Sequence, residues 1–429
     1  MLQEQIIEAL SDEVKELHGK LNEMGRLLKF AVDRQYYFNA FYDPELKKLD
    51  DIPDHGILLC GNYGNPNTGD EWMLETILDY ISRYTTKKVT IMLVANRKFD
   101  PSLYLKYDVD YIHCPQTIYD YDLIEKKFDV LIFGGGAIIE DGIYWEAYDY
   151  GINICRTVVD LPLRFIRHEK KVLCIGLSTS CGLSNREYIG KLQQVIDRAA
   201  FFSVRDPYSL QVIQDAGLCV DKVKLTHDIV YANRELGQAM EMTSEKPCKS
   251  EVFHVGIVYI VAEETKVAFC TLLQKLETEL QLYQKDYKIS IIPFYDDWHI
   301  ELDFYKKALG NNPNVTILPY NSDIRFMINT FQNQDLLICA RYHAILMALT
   351  LGIPCVPLYY DTHQHYPNKI KHLLGDFGFR LDECIPMSKL GKNDVTFIAH
   401  ALKPENNYIS RKLMESARQG IEKTFEKEL

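Results

Sequence analysis

Apolar and polar positions along this chain form two successive alternations of short β-branched runs with amphipathic stretches. In the first, from 56 to about 240, the pattern predicts strands at 56–60, 89–94, 129–133, 172–176, 200–204 and 223–226. Helices are predicted between them at 70–83, 120–127, 151–168, 187–199 and 207–216. Met73, Leu74, Ile77, Leu78 and Ile81 show the reason, since apolar residues recur there at three and four and build one buried helix face. The second alternation starts at Val252, with strands predicted at 252–260, 287–292, 314–318, 335–339 and 355–359. Its helices are predicted at 264–285, 299–309, 322–332 and 341–351. Alternation of this kind implies an α/β fold of parallel sheets with helices on both faces, and such sheets bind ligands beyond the carboxyl ends of their strands. Both halves read as doubly wound, and the cleft between them is the default site.

The flanks read differently. Ile7, Leu10, Val14, Leu17, Leu21, Met24, Leu28 and Ala31 are spaced alternately by three and four, the seam of a coiled coil. A segment over 1–45 is therefore expected to be helical, either joining copies into a homo-oligomer through residues 7–31 or docking on its own domain. The first domain is expected at 52–240 and the second at 250–402, joined by the polar run Glu235–Lys249. Residues 403–429 are expected to form a C-terminal helix on the surface or bracing the two domains.

With 429 residues the chain exceeds a single core, so two domains are the default. Its hydrophobic share of 47% and charged share of 25% are ordinary for a globular protein, and no apolar run is long enough to span a membrane. The net charge of −12 argues against a nucleic-acid partner but leaves room for a locally positive pocket. Eleven scattered cysteines without metal-ligand spacing, and a start that does not read as a signal peptide, predict reduced thiols in the cytoplasm and no metal site.

Four stretches carry candidate chemistry. Gly61-Asn62-Tyr63-Gly64-Asn65-Pro66-Asn67-Thr68-Gly69-Asp70 is a glycine-rich turn between a strand and a helix, where free N–H groups suit an anion. It lacks the spacing of the dinucleotide fingerprint and the lysine of the P-loop. Gly134, Gly135 and Gly136 leave the backbone bare at a strand end, so a ligand can approach closely. Arg205 ends another strand, where a guanidinium can grip a carboxylate or phosphate, or pair with Asp206 or Asp228. Arg341 and His343 open a helix, a place where cations are unfavourable unless an anion docks beside them. Lys369 lies within reach of the same mouth, and His227 and Asp141 are weaker candidates.

The runs GNYGNPNTGDEWMLETIL, DVLIFGGGAIIED, SVRDPYSLQVIQDAG with LTHDIVY, and ICARYHAILMALTLGIPCVPLYYD occur in the order seen in the polysaccharide pyruvyl transferase family, which the chain resembles over roughly 56–375. The resemblance implies a GT-B-like pair of Rossmann-like domains facing across a cleft. It implies phosphoenolpyruvate as the donor substrate, no metal or redox cofactor, and a sugar or polysaccharide precursor as acceptor, two of whose hydroxyls become a pyruvate ketal. Carried over by motif, Arg205, Arg341 and His343 belong to the donor site, with His343 as proton-transfer catalyst. Asn67, Gly69 and Asp70 belong to the facing turn, with Asp70 or Asp141 activating the acceptor. Where the family carries Asp-Pro-Lys, this chain has Asp361-Thr362-His363, so Lys369 or His363 must take that lysine's place or the donor differs. A nucleotide-sugar glycosyltransferase of the same architecture and a non-catalytic scaffold for polysaccharide assembly are the competing readings. Acceptors of this family are often built at the inner membrane face, which makes peripheral membrane association an expectation.

Overall fold

The computed structural model describes residues 49–429 apart from 65–66, 95–100, 115–117, 143–153, 180, 243–250, 263–264, 284–285, 296–299, 311, 362–365, 392–395 and 405–407. The expected helical segment at 1–45, with its seam at 7–31, lies outside the described residues, as does His363.

The first domain is built from β1 (Gly56–Cys60), β2 (Val89–Leu93), β3 (Val109–His113), β4 (Phe128–Gly134), β5 (Ala137–Ile139), β6 (Lys171–Thr179), β7 (Phe201–Val204) and β8 (Lys224–Leu225). They form one parallel sheet in the order β3-β2-β1-β4-β6-β7-β8, with β5 paired to β6. The second domain contains β9 (Phe253–Val258), β10 (Tyr287–Ile291), β11 (Val315–Ile317), β12 (Leu336–Cys339), β13 (Cys355–Tyr359) and β14 (Ile385–Pro386), all parallel in the order β11-β10-β9-β12-β13-β14. Central strands such as β1 and β12 are buried along their whole length, because helices cover both faces. The architecture is α/β, with two Rossmann-like domains.

Each strand order reverses once, between β1 and β4 in the first sheet and between β9 and β12 in the second. Loops diverge at such a switch point and leave a crevice at the carboxyl ends of the strands. The glycine-rich turn follows β1, the triple glycine ends β4, and Arg341 follows β12, so the candidate chemistry sits at both crevices.

Several elements differ from the sequence reading. β3 was not expected, because this edge strand buries Asp110 and half-exposes Val109, Tyr111 and His113, so no apolar run marks it. The polar run at 235–249 begins inside a helix, Arg234–Met242, whose Leu236 and Met240 reach the core between charged neighbours. A further helix, Tyr366–Asp376, occupies what reads as an extended loop, and buries Ile370, Leu373 and Leu374.

The two domains share a continuous apolar cluster. Trp72, from the helix Thr68–Tyr84, meets Phe294 of the second domain edge to face at 5.2 Å between ring centroids. Such a pair adds about 0.5–1.5 kcal/mol beyond the area it buries. Beside it, Thr68 N donates to Phe294 O at 3.1 Å and Asn67 forms an antiparallel bridge with Tyr295. The glycine-rich turn is thereby held against the second domain.

Candidate active site

Asn67 caps the helix Thr68–Tyr84, its side chain accepting from Gly69 N at 3.2 Å. An N-cap oxygen satisfies one of the donors that every helix start leaves open. One turn in, Asp70 accepts from Asn62 Nδ2 at 2.8 Å and is buried. Burial pushes its carboxyl above the usual range, partly offset by His343 and the Asn62 bond. The next residue, Glu71, accepts from Tyr104 Oη at 2.5 Å and from Gly64 N at 3.1 Å. Burial raises its pKa to about 7.

Of the three glycines after β4, Gly136 lines the cavity at the domain interface, with a backbone φ of +89° that side chains other than glycine's rarely adopt. Gly134 and Gly135 pack instead. A Cβ at Gly134 would lie 2.1 Å from Ile77 Cδ1, and one at Gly135 would lie 2.5 Å from Met73 Sδ. They allow the helix Thr68–Tyr84 to approach the strand end. Asp141 is likewise structural, because its Oδ2 accepts the backbone N–H groups of Ser184 and Asn185 at the start of the helix Arg186–Arg198. That use of Asp141 corrects its reading as an acceptor base. The carboxylate that reaches the cavity is its neighbour Glu140, which sequence reasoning missed.

Arg205 leaves β7 fully inside the protein. Its Nη1 donates to Asp228 Oδ2 at 2.9 Å, Asp206 Oδ2 lies 3.4 Å from Nε, and the guanidinium sits 4.4 Å above the Tyr342 ring centroid. A buried charge needs such pairing to be tolerated. Asp228 also caps the turn Ile229–Ala232 through Val230 N. Burial would raise its carboxyl, but His343 and Arg205 hold it well below the usual range. His227, beside it, faces Tyr231 edge-on, and burial lowers its pKa.

From the second domain come Arg341 and His343. Arg341 is the N-cap of the helix Tyr342–Thr350, in extended backbone and without a side-chain cap bond. Its Nη2 donates to Glu301 Oε1 at 2.7 Å, and its guanidinium stands 5.0 Å from the Tyr295 ring centroid. Its Nε has no hydrogen-bond partner among the described residues. His343 reaches across to the first domain. Its Nε2 is 3.4 Å from Asp228 Oδ2, in ion-pair range without the alignment of a hydrogen bond. Its Nδ1 fills the space over Gly69, where a Cβ would come within 2.0 Å. Both basic side chains thus have carboxylate neighbours, yet both line the cavity.

Lys369 completes the set from the helix Tyr366–Asp376, with no ion pair within 4 Å among the described residues. Burial, reinforced by Arg205 and opposed by Glu140, lowers its pKa to about 8. The cavity has a volume of about 410 Å³, and Asn62, Asn67, Asp70, Glu140, Arg205, Arg341, His343 and Lys369 supply its polar wall. Ile260, two residues beyond β9, also lines it. Among the described residues no group of three His, Cys, Asp or Glu has metal-binding geometry, and no helix is long and apolar enough to cross a membrane.

The arrangement offers four basic side chains for an anionic ligand and two carboxylates for hydroxyl groups. UDP-GlcNAc 2-epimerase from Neisseria meningitidis, solved with UDP-GlcNAc, superposes with a TM-score of 0.51 at 11% identity, over 87% of this chain and 100% of that one. Staphylococcus aureus MnaA, solved with UDP, superposes with a TM-score of 0.51 at 10% identity, over 86% and 97% of the two chains. At these identities the likeness shows the GT-B-like fold and nothing finer. No curated protein matches the sequence. The family model for polysaccharide pyruvyl transferase matches residues 67–362, from the cap of the glycine-turn helix to just beyond β13. The chain belongs to the polysaccharide pyruvyl transferase family.

Proposed function

We propose that the protein transfers pyruvate from phosphoenolpyruvate to two hydroxyls of a sugar in a surface polysaccharide or its precursor, forming a ketal. The observation that carries this reading is the meeting of Arg205, Arg341, His343 and Lys369 from two domains in one cavity. Phosphoenolpyruvate bears a carboxylate and a phosphate ester on the same carbon, C2, and guanidinium and ammonium groups bind such oxygens through charge-assisted hydrogen bonds.

The reaction needs a proton at the methylene carbon C3, attack by one sugar hydroxyl at C2, then attack by the second with loss of inorganic phosphate. Two hydroxyl protons are released, one is matched by the proton added at C3, and the other leaves with the phosphate. In this reading His343 protonates C3, the kind of step that contributes about 10²–10⁴-fold. Its imidazole is held between Asp228 and Gly69, so the ring is already oriented when the donor binds. Arg341, Arg205 and Lys369 neutralise the donor and the departing phosphate. Asp70, close to His343 and bonded to Asn62, takes an acceptor proton. Raised by burial, it is the better base for that role.

The test mixes the full-length protein with phosphoenolpyruvate and a panel of p-nitrophenyl hexosides and N-acetylhexosaminides. Phosphate release accompanied by the mass gain of one pyruvyl ketal is expected, and His343→Gln should bind phosphoenolpyruvate yet lose turnover. Absence of binding and of phosphate release, with a thermal shift by UDP instead, would turn the reading to a nucleotide-sugar enzyme.

A further inference from the structure

Glu140 follows β5, and its backbone N–H is fixed by the hydroxyl of Tyr188 at 3.2 Å, a residue with no exposed surface. Asp141 turns away to the backbone of Ser184 and Asn185, which leaves Glu140 as the one of the pair that lines the cavity. Cys155 Sγ lies 4.0 Å from its Oε2, and it has no ion pair within 4 Å among the described residues. A carboxylate without a strong partner, in the wall of a cavity otherwise built for an anion, is electrostatically unfavourable to the donor. Asp70, the other carboxylate of the wall, accepts from Asn62, while Asp228 serves Arg205 and His343, and Glu301 serves Arg341.

On the pyruvyl-transfer reading, we propose that Glu140 is a catalytic residue for the acceptor, receiving the hydrogen bond of one sugar hydroxyl and taking its proton as that oxygen bonds to C2 of the donor. The π electrons of the C2–C3 bond take up the proton delivered at C3. The proton on Glu140 then passes to the leaving phosphate or to water. Ketal formation consumes two hydroxyls, and Asp70 with Glu140 supplies one carboxylate for each. Burial raises the Glu140 pKa and Lys369 opposes the rise. A carboxylate raised in this way is a stronger base than an exposed one. The charged and titratable groups sharing the cavity are Lys369, Arg205, Arg341, Tyr342, His343, Asp70 and Cys155, with Asp141 behind it.

The test compares wild type with Glu140→Gln and Glu140→Asp, all full length and matched for thermal unfolding. Phosphoenolpyruvate binding is read by calorimetry, and phosphate release by turnover with the glycoside panel. Glu140→Gln is expected to bind phosphoenolpyruvate as tightly as wild type or more so, because a like charge is gone. Its turnover should fall by about 10²-fold or more, with the acidic limb of the pH profile shifted to the position set by Asp70 alone. Glu140→Asp should recover part of the rate. Turnover of Glu140→Gln close to wild type, or loss of donor binding in it, would overturn the proposal. A wild-type protein that neither binds phosphoenolpyruvate nor releases phosphate would bring down the parent reading, a separate result.

Discussion

His343 Nδ1 takes the place a side chain on Gly69 would occupy, since a Cβ there would lie only 2.0 Å from it. The two residues belong to different domains, so the glycine of the turn is required by a histidine of the facing domain's helix Tyr342–Thr350. Gly69→Ala is expected to displace His343 and to cost about 1–3 kcal/mol through overpacking. Urea unfolding measures the loss, and a cycle with His343→Ala should show that the cost largely vanishes once the ring is removed.

Lys369 has a pKa lowered to about 8 by burial and by Arg205, so it is charged below that pH and neutral above it. An anionic donor favours the charged form. Affinity for phosphoenolpyruvate should therefore weaken as pH rises through about 8. Lys369→Gln should bind about tenfold more weakly at pH 7 and lose this pH dependence, as expected for one charge-assisted hydrogen bond. Lys369→Arg should keep the affinity and flatten the curve. Calorimetry across pH 7–9 checks both.

Glu71 gives a stability signature instead. Its pKa is about 7 in the fold against an ordinary 4.5, because the carboxyl is buried. A carboxyl raised on folding contributes stability that is fully present below the unfolded value and lost as pH climbs through the folded one. Wild type should thus lose up to about 3 kcal/mol between pH 4.5 and pH 8 from this group. Glu71→Gln, which can still accept from Gly64, should be flatter over that range in urea titrations.

Asp141→Ala separates the structural carboxylate from its neighbour. Two backbone N–H groups at the start of the helix Arg186–Arg198 lose their acceptor. The expected loss is about 1–3 kcal/mol, while phosphate release by the folded protein is retained. A collapse of turnover with unchanged stability would reverse the roles assigned to Glu140 and Asp141.

The two sheets were legible because buried parallel strands are continuous apolar runs, and β1, β4, β6 and β12 are of that kind. Arg341 and His343 were legible because cations at a helix start are electrostatically conspicuous. Which of Glu140 and Asp141 faces the ligand was not, since it depends on how β5 is registered against β6, a tertiary fact. The three glycines after β4 look alike in sequence, and only the approach of Ile77 and Met73 separates the packing pair from Gly136. The helix carrying Lys369 left a signal that could have been read. Pro367 lies in its first turn, and Ile370, Leu373 and Leu374 follow helical spacing.

The helix Tyr408–Glu428 follows Leu402, which is bridged to Cys355 in the second domain, yet it packs on the first domain against Thr68–Tyr84 and Ile229–Ala232. Phe425 rests between Tyr80 and Tyr84 there. The backbone therefore passes between the lobes twice, once after Met242 and once after Leu402. The lobes are thus tied at two separate points, and pulling them apart would also require the C-terminal helix to leave the first domain.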